Sequence, residues 1–299
     1  ISTTLWVTGS FDNPAGFAAC LCAGFPFVGF LLSDSNKYIR YVGGLIGFVI
    51  VIAVILSQSR AGIMSIAFIC FILLNMKFFH KRWVKYLSLL CFALLLSGCY
   101  WMKKDSADGR LLIWRCSVSM VKDAPWLGHG IGSFEARYMD YQADYFRQYG
   151  LNRYSMLADN VKHPFNEYLG VLLNFGFVGL LMILALITLL IYCYKKHPCA
   201  EKRIAFYSLI SIGVFSFFSY TFTYPFTWIV TFLCIIILTK EYIAKVFTCP
   251  IIKNTVCIFI LLCSFWGIYN LVKRVMAEKE WGNTSRLALC GASGKTLPA

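Results

Sequence analysis

Three polar clusters, each at the end of an apolar segment, carry the side chains that could take part in chemistry. They are Arg60 in "SQSRAG", Arg110 in "DGRLLIWR", and His163, Asn166 and Glu167 in "VKHPFNEYLG". An arginine suits a phosphate because its planar guanidinium makes paired hydrogen bonds and stays protonated. A histidine accepts and returns a proton near neutral pH. Together these residue types indicate a site that holds a phosphate and activates an acceptor hydroxyl.

Each cluster also fits a purely structural role. Arg60 fits a side chain that snorkels from a helix end to water, Arg110 fits a solvated helix surface, and His163 fits an interfacial hydrogen bond. Arg115 follows Arg110 by five residues, roughly 140° around a helix, so the two cannot face the same point. We expect Asn166 to cap the helix that follows it, whatever else it does.

The composition places these clusters in a membrane protein. Of 299 residues, 59% are hydrophobic and 14% are charged, and the mean hydropathy is +0.67. An apolar run of about 20 residues crosses the ~30 Å hydrocarbon core as a helix. The sequence therefore predicts an all-α, polytopic transmembrane helical bundle. Eight runs qualify, at about 14–32, 39–56, 61–78, 83–101, 166–194, 204–221, 225–243 and 254–272.

The basic residues predict the orientation of the bundle. The net charge is +14, and much of it lies in short clusters beside the apolar runs, such as "KFFHKRWVK" and "KKHPCAEKR". Such clusters mark cytoplasmic connections, and their distribution argues against nucleic-acid binding. All three polar clusters then share the outer side. The predicted order is membrane helices in 1–101, an outer cap in 102–165, membrane helices in 166–272 and an outer tail in 273–299.

The predicted cap is helical. Leu111, Trp114, Val118 and Val121 recur at helical spacing before Pro125. A glycine-rich turn, "GHGIGSF", follows, and we expect its serine, at position 133, to cap a second helix. That helix carries an aromatic stripe, which consists of Phe134, Tyr138, Tyr141, Tyr145 and Tyr149. We expect these rings to pack against neighbouring helices or the membrane, and a surface that stacks on sugar rings is the alternative.

Metal and cofactor chemistry lacks a sequence signature. The thirteen cysteines form no CxxC pair, so metal-ligand spacing is absent, and no nucleotide-binding or zinc-protease motif occurs. We therefore expect no metal and no cofactor.

The two ends of the sequence suggest a segment of a longer protein. Because the first residue is Ile1 and the chain ends in "SGKTLPA", we expect the outer tail to begin a further soluble domain.

Four stretches, taken in order over about residues 9 to 190, resemble the O-antigen ligase family of bacterial inner-membrane glycosyltransferases. That family includes lipopolysaccharide O-antigen ligases, protein O-oligosaccharyltransferases and, more distantly, O-antigen polymerases. The stretches are "GSFDNPAGFAA", "SQSRAG", "DGRLLIW" with "PWLGHGIGSF", and "HPFNEYLGVLLNFGFVGLL". The resemblance implies a glycan donor linked to undecaprenyl pyrophosphate, an acceptor on lipid A core or protein, a helical periplasmic cap and an active site facing the periplasm.

The resemblance also implies roles for individual residues. Arg60 and Arg110 would hold the pyrophosphate, with Asn166 and Glu167 beside the substrates, and His163 would deprotonate the acceptor without a metal. The family usually has His directly before Asn, whereas here a phenylalanine stands at position 165 and the histidine lies three residues before the asparagine. Glu167 and Asp159 are therefore alternative bases.

Two other functions compete with a ligase. A polysaccharide polymerase of the same superfamily would share the chemistry and use another lipid-linked repeat as its acceptor. A polysaccharide transporter would belong to a different class. Transporters tend to have inverted repeats and interrupted membrane helices, and the sequence indicates neither.

Overall fold

The predicted all-α class is confirmed. The computed structural model describes residues 8, 9, 11, 13–77, 82–102, 104–246 and 250–289, and this part of the chain contains helices and no strand. Three short 3-10 turns join some of the helices, at Phe25–Phe27, Ser155–Leu157 and Thr221–Thr223. The helices are α1 Pro14–Gly24, α2 Val28–Leu32, α3 Lys37–Leu56, α4 Arg60–Lys77, α5 Arg82–Met102, α6 Lys104–Asp123, α7 Ser133–Tyr149, α8 Glu167–Lys196, α9 Ala200–Phe218, α10 Pro225–Val246 and α11 Pro250–Leu289.

Within the described residues, four stretches are long and apolar enough to cross a membrane: Pro14–Leu32, Lys37–Leu56, Glu167–Lys196 and Pro225–Ala244. The predicted spans at 61–78 and 83–101 coincide largely with α4 and α5, which contain the apolar stretches Arg60–Leu73 and Trp83–Leu94. Helix α9 has a glutamate, a lysine and an arginine in its first turn, at positions 201–203, which limits its apolar length. The eighth predicted span lies within α11.

Helix α9 is largely buried among the other helices. It packs against α1 and α4, and serine hydroxyls join the backbones. The Ser208 hydroxyl donates to the Ala23 carbonyl at 2.6 Å and the Ser211 hydroxyl donates to the Cys22 carbonyl at 2.7 Å. Small residues permit such close helix approach in membrane proteins, and their hydroxyls bind across the interface. These contacts fix the position of α9 along its own axis relative to α1, and therefore also the position of its last residue, Phe218.

The cap helix α6 forms where the sequence predicts a helix, but its buried face differs. Leu111 and Val118, expected in the apolar stripe, are exposed. Leu112, Cys116 and Met120 are buried instead and pack against α7 and α8. The sequence pattern failed because α6 has apolar residues on both faces. One face fills the core of the cap, and the other borders the site described below.

The cap helix α7 begins as predicted, but its N-terminal residue has another role. Gly132, in a left-handed conformation, is the N-cap residue, and Ser133 is the first helical residue with no capping bond. The expected serine cap is therefore wrong. The aromatic stripe packs as predicted at Phe134 and Tyr138, which are buried and stacked with ring centroids 4.9 Å apart.

Helix α8 is interrupted at Gly176, whose backbone has φ 62° and ψ −158°. The sequence indicates no interrupted helix in the middle of the membrane, and this interruption lies in the first third of α8. A Cβ at Gly176 would lie 2.3 Å from the backbone of Trp126, and one at Gly128 would lie 2.6 Å from the backbone of Asn174. Both glycines have positive φ. Only glycine combines that conformation with so close an approach of two backbones.

The chain divides into two compact units, Ile1–Thr239 and Lys240–Ala299. The second unit consists mainly of α11, a 40-residue helix with an exposed ion pair between Arg274 and Glu278 at 3.1 Å. This helix runs without a break through residue 273, where the sequence suggests a boundary. The predicted soluble domain after it includes residues 290–299, which lie outside the described residues.

We predict that Gly176→Ala and Gly128→Ala each lower the thermal unfolding temperature of the purified full-length protein in detergent. The reason is that each added methyl meets backbone at a positive φ, a strain of about 1–3 kcal/mol before any overlap is counted. Gly170→Ala, on the same helix α8, is the matched control, because its Cβ would meet only the Pro164 side chain at an ordinary 3.6 Å. Equal melting temperatures for all three variants would contradict the close backbone contact.

Candidate functional site

Segments distant in the sequence meet at one end of α9. The Asn13 amide, just before α1, donates to the Tyr220 hydroxyl at 2.6 Å. The Glu167 carboxylate, at the start of α8, accepts the Phe222 backbone N–H at 2.7 Å. Both partners lie in the turn that follows α9. The beginnings of α1 and α8 are therefore joined to the connection between α9 and α10.

Arg110 reaches this end of α9 from the cap. Its Nη1 donates to the carbonyl of Phe218, the last residue of α9, at 2.8 Å, and its guanidinium lies 5.1 Å from the centroid of the Phe165 ring. Burial and the nearby charge of Arg60 lower the pKa of Arg110 to about 10. The side chain is therefore charged at neutral pH. Among the described residues no carboxylate forms an ion pair with it.

Arg60 lies opposite, as the first residue of α4, and its Nη2 donates to the Ser106 hydroxyl at 2.8 Å. The structure brings the two predicted arginines to one cavity of about 240 Å³. The rest of the wall is mostly apolar. Its other lining residues are Met64, Tyr100, Ala107, Leu111, Trp114 and Phe218.

This combination favours a particular kind of ligand. Two guanidinium groups held near each other in a partly desolvated cavity repel, and an anion between them would relieve that repulsion. A guanidinium offers five N–H donors, of which Arg110 uses one for the Phe218 carbonyl. The apolar wall suits a hydrocarbon chain. The cavity therefore combines cationic donors for an anion with an apolar wall.

His163 lies beside this cavity and is not among its lining residues. Its ring stacks on Tyr220, with centroids 4.7 Å apart and planes 24° apart. Phe165 meets the edge of the same tyrosine at 5.3 Å, so Arg110, Phe165, Tyr220 and His163 form a continuous chain of ring contacts. In the described part of the chain neither His163 ring nitrogen forms a hydrogen bond.

The surroundings of His163 keep it neutral. Burial lowers its pKa from the ordinary value, and the charge of Lys162 lowers it further against an opposing effect of Glu135. An imidazole with a lowered pKa is unprotonated at neutral pH and can accept a proton.

His163 lies three residues before Asn166, and its position depends on the turn that precedes α8. Residues 158–166 are not helical, so the three-residue offset between His163 and Asn166 is not fixed by helical geometry. Phe165 has a positive φ of 52°, which is unusual for an aromatic residue. The indole N–H of Trp114 donates to the Pro164 carbonyl at 2.9 Å and holds the turn against α6.

The remaining predicted residues have structural partners. The Asn166 side chain accepts the Leu169 backbone N–H at 3.0 Å, which confirms the predicted N-cap. The Glu167 carboxylate bonds to Phe222, as described above. The alternative base Asp159 is exposed and accepts the backbone N–H of its neighbour in the sequence at 2.8 Å.

Arg115 confirms the angular argument made from the sequence. It lies away from the Arg110 cavity, over the Tyr154 ring at 5.1 Å, and donates to the Tyr145 hydroxyl at 3.4 Å. Two residues of the site were missed, Tyr220 and Asn13. Asn13 lies in "GSFDNPAGFAA", one of the four stretches of the family resemblance, whereas the only signal for Tyr220 is its position at the predicted outer end of the span at 204–221.

Residues 45–184 match the O-antigen ligase family model. The resemblance predicted from the motifs is thereby confirmed for this segment, which contains Arg60, Arg110 and the turn from His163 to Glu167. "GSFDNPAGFAA" lies before the matched residues. No curated protein matches the chain significantly. Together with the four apolar helices, the O-antigen ligase match indicates a membrane protein related to glycosyltransferases.

We predict that Tyr220→Ala raises the pKa of His163 towards about 6.5, the ordinary value, because the stacked ring shields the imidazole from water. Tyr220→Phe keeps the ring and serves as the matched control with an unchanged pKa. The measurement is an NMR titration of the four histidines, with His163→Gln identifying the resonance. An identical titration in the alanine variant would show that the stacking does not shield the imidazole.

Proposed function

We propose that this protein transfers a glycan from undecaprenyl pyrophosphate to an acceptor hydroxyl. The observation that carries the proposal is the cavity shared by Arg60 and Arg110 within the O-antigen ligase segment. The two arginines lie on different helices, α4 and α6, and each is held by a hydrogen bond to a fixed partner. Such preorganised cations stabilise a leaving pyrophosphate without rearranging during the reaction.

In the proposed step the acceptor hydroxyl loses its proton to a ring nitrogen of His163 while its oxygen bonds to the anomeric carbon of the glycan. The bond between that carbon and the pyrophosphate oxygen breaks, and its electron pair leaves with the pyrophosphate. Arg60 and Arg110 stabilise the charge that develops on the leaving oxygen. The imidazolium then releases its proton to water. Neither Asn166 nor Glu167 carries a step, and we assign them the positioning of α8 beside the substrates.

The proposal includes a location. We place the protein in the bacterial inner membrane, with the Arg60 end of the bundle facing the periplasm. In support, the beginning of α9 lies at the opposite end of this helix from the site, and there Arg203 lines a groove together with Ser33. The basic connections of the sequence predict that this end faces the cytoplasm. Lipid A core and protein are the proposed acceptors. A polymerase would use the same site, with another lipid-linked repeat as its acceptor. The O-antigen ligase match is compatible with either acceptor.

We predict that Arg60→Met, Arg110→Met and His163→Gln each abolish most glycan transfer by the reconstituted full-length protein. Removing one charge-stabilising donor typically lowers the rate about 10²–10³-fold, and removing a general base lowers it about 10²–10⁴-fold. The assay measures product formed from lipid-linked donor in the presence of EDTA, with lipid A core, an acceptor protein and a second lipid-linked repeat offered in parallel.

The matched controls are Arg115→Met, on the other side of α6, and His197→Gln, in the exposed connection after α8. Both should transfer glycan at the unmodified rate. Normal transfer by a site variant would remove that residue from the mechanism, and a requirement for a divalent ion would contradict the whole proposal. Product from the lipid-linked repeat alone would identify a polymerase.

The pH dependence tests the base separately. Because the neutral imidazole is the active form and burial lowers its pKa, we predict that kcat/KM is constant near neutral pH and falls as the pH drops below about 6.5. The acid limb should be absent from the residual activity of His163→Gln. A limb centred above the ordinary histidine pKa, or one that persists in the variant, would assign the proton to another group.

A further inference from the structure

The interruption of α8 leaves four backbone groups without helical partners. In a continuous helix the Phe177 and Val178 N–H groups would bond to the carbonyls of residues 173 and 174. Here they donate instead to Pro125 and Trp126, at 2.8 and 3.2 Å. The freed carbonyls of Leu173 and Asn174 accept the N–H groups of residues 129 and 130, at 2.7 and 3.1 Å. The two lost helical bonds are thus replaced by four bonds to one loop.

This loop, Pro125–Ile131, is called the anchor loop below. His129 joins the anchor loop to the cap helices α6 and α7. The Nδ1 atom of His129 is 2.9 Å from Arg137 Nη1, and its Nε2 is 2.7 Å from the Met120 carbonyl. Since a guanidinium can only donate, Nδ1 accepts and Nε2 carries the proton that it donates to the carbonyl. The loop is therefore fixed to both the cap and α8.

The length of α8 places the anchor loop at the edge of the bilayer. All 30 residues would extend about 45 Å, more than a ~30 Å hydrocarbon core requires. The part after the interruption, Phe177–Lys196, has 20 residues and extends about 30 Å. Irregular backbone is tolerated beside lipid only where protein satisfies its polar groups, and the anchor loop does this for α8.

The outward surface of the anchor loop is apolar. Trp126, Leu127 and Ile131 are 69%, 75% and 83% exposed, although a surface loop usually carries polar residues at such positions. Beside them the side chains of Phe177 and Val178 on α8 are also exposed, and the Trp126 and Phe177 rings are 6.1 Å apart. The apolar surface of the membrane helix therefore continues without a gap onto the cap.

We propose that the anchor loop inserts into the interface between the lipid headgroups and the acyl chains, on the same side of the membrane as Arg60. Tryptophan is enriched at this depth because its ring is apolar and its N–H finds polar partners. The loop holds the cap on the membrane surface. This inference rests on the interruption of α8 and on the exposed apolar surface, and it does not depend on the chemistry of the site.

The experiment places a photoreactive benzoylphenylalanine at one position at a time in the full-length protein. The protein is reconstituted in vesicles of phosphatidylethanolamine and phosphatidylglycerol, irradiated and digested, and lipid adducts are measured by mass spectrometry. Positions 127 and 131 report on the anchor loop. Met182, exposed on α8, is the lipid-facing reference, and Gln148, exposed on α7, is the reference in water.

We expect lipid adducts at positions 127 and 131 at yields comparable to that at 182, with none above background at 148. Because all four side chains are exposed, the substitutions should leave the fold intact. Unchanged thermal unfolding of each purified variant checks this. Adduct yields at 127 and 131 equal to that at 148 would overturn the proposal. Covalent dimers in place of lipid adducts would also overturn it, because they would assign the apolar surface to a second copy of the chain.

Discussion

The end of α9 is the constraint on which the site depends. The last carbonyls of any helix lack partners within the helix, and an enclosed end needs other donors. The Arg110 guanidinium supplies one of them to Phe218. The turn that follows is held by Asn13 and Glu167 from two other helices. The need to satisfy this helix end therefore gathers a cation, an amide and a carboxylate from across the sequence.

The same constraint produces the electrostatic character of the cavity. A neutral donor would satisfy the Phe218 carbonyl equally well, yet the donor is Arg110, whose pKa is lowered by burial and by the nearby charge of Arg60. Two charges brought together in this way raise the energy of the empty cavity, and a bound anion lowers it. An anion bound between the two guanidinium groups, as in the proposed function, would therefore stabilise the protein.

The sequence predicted the helical class and the N-cap at Asn166, because each follows from local pattern. It also predicted that Arg60 and Arg110 would share a site, but only through the topology and the family resemblance. It could not predict Tyr220, since stacking on His163 depends on how α9 is positioned against α1 and α8. The face of α6 was wrong for a related reason. Both of its faces are apolar, and only tertiary packing distinguishes them.

The interruption of α8 shows why a hydropathy pattern cannot locate the edge of this span. Apart from Asn174, the residues on either side of Gly176 are apolar, so the hydropathy pattern continues through the point where the helix is interrupted. The interruption becomes possible only because Gly128, in another segment, lets a second backbone approach. A continuous helix would carry the turn before it, including His163, to a different height and direction. The position of the imidazole beside Tyr220 thus depends on two glycines, one of them 35 residues before it in the chain.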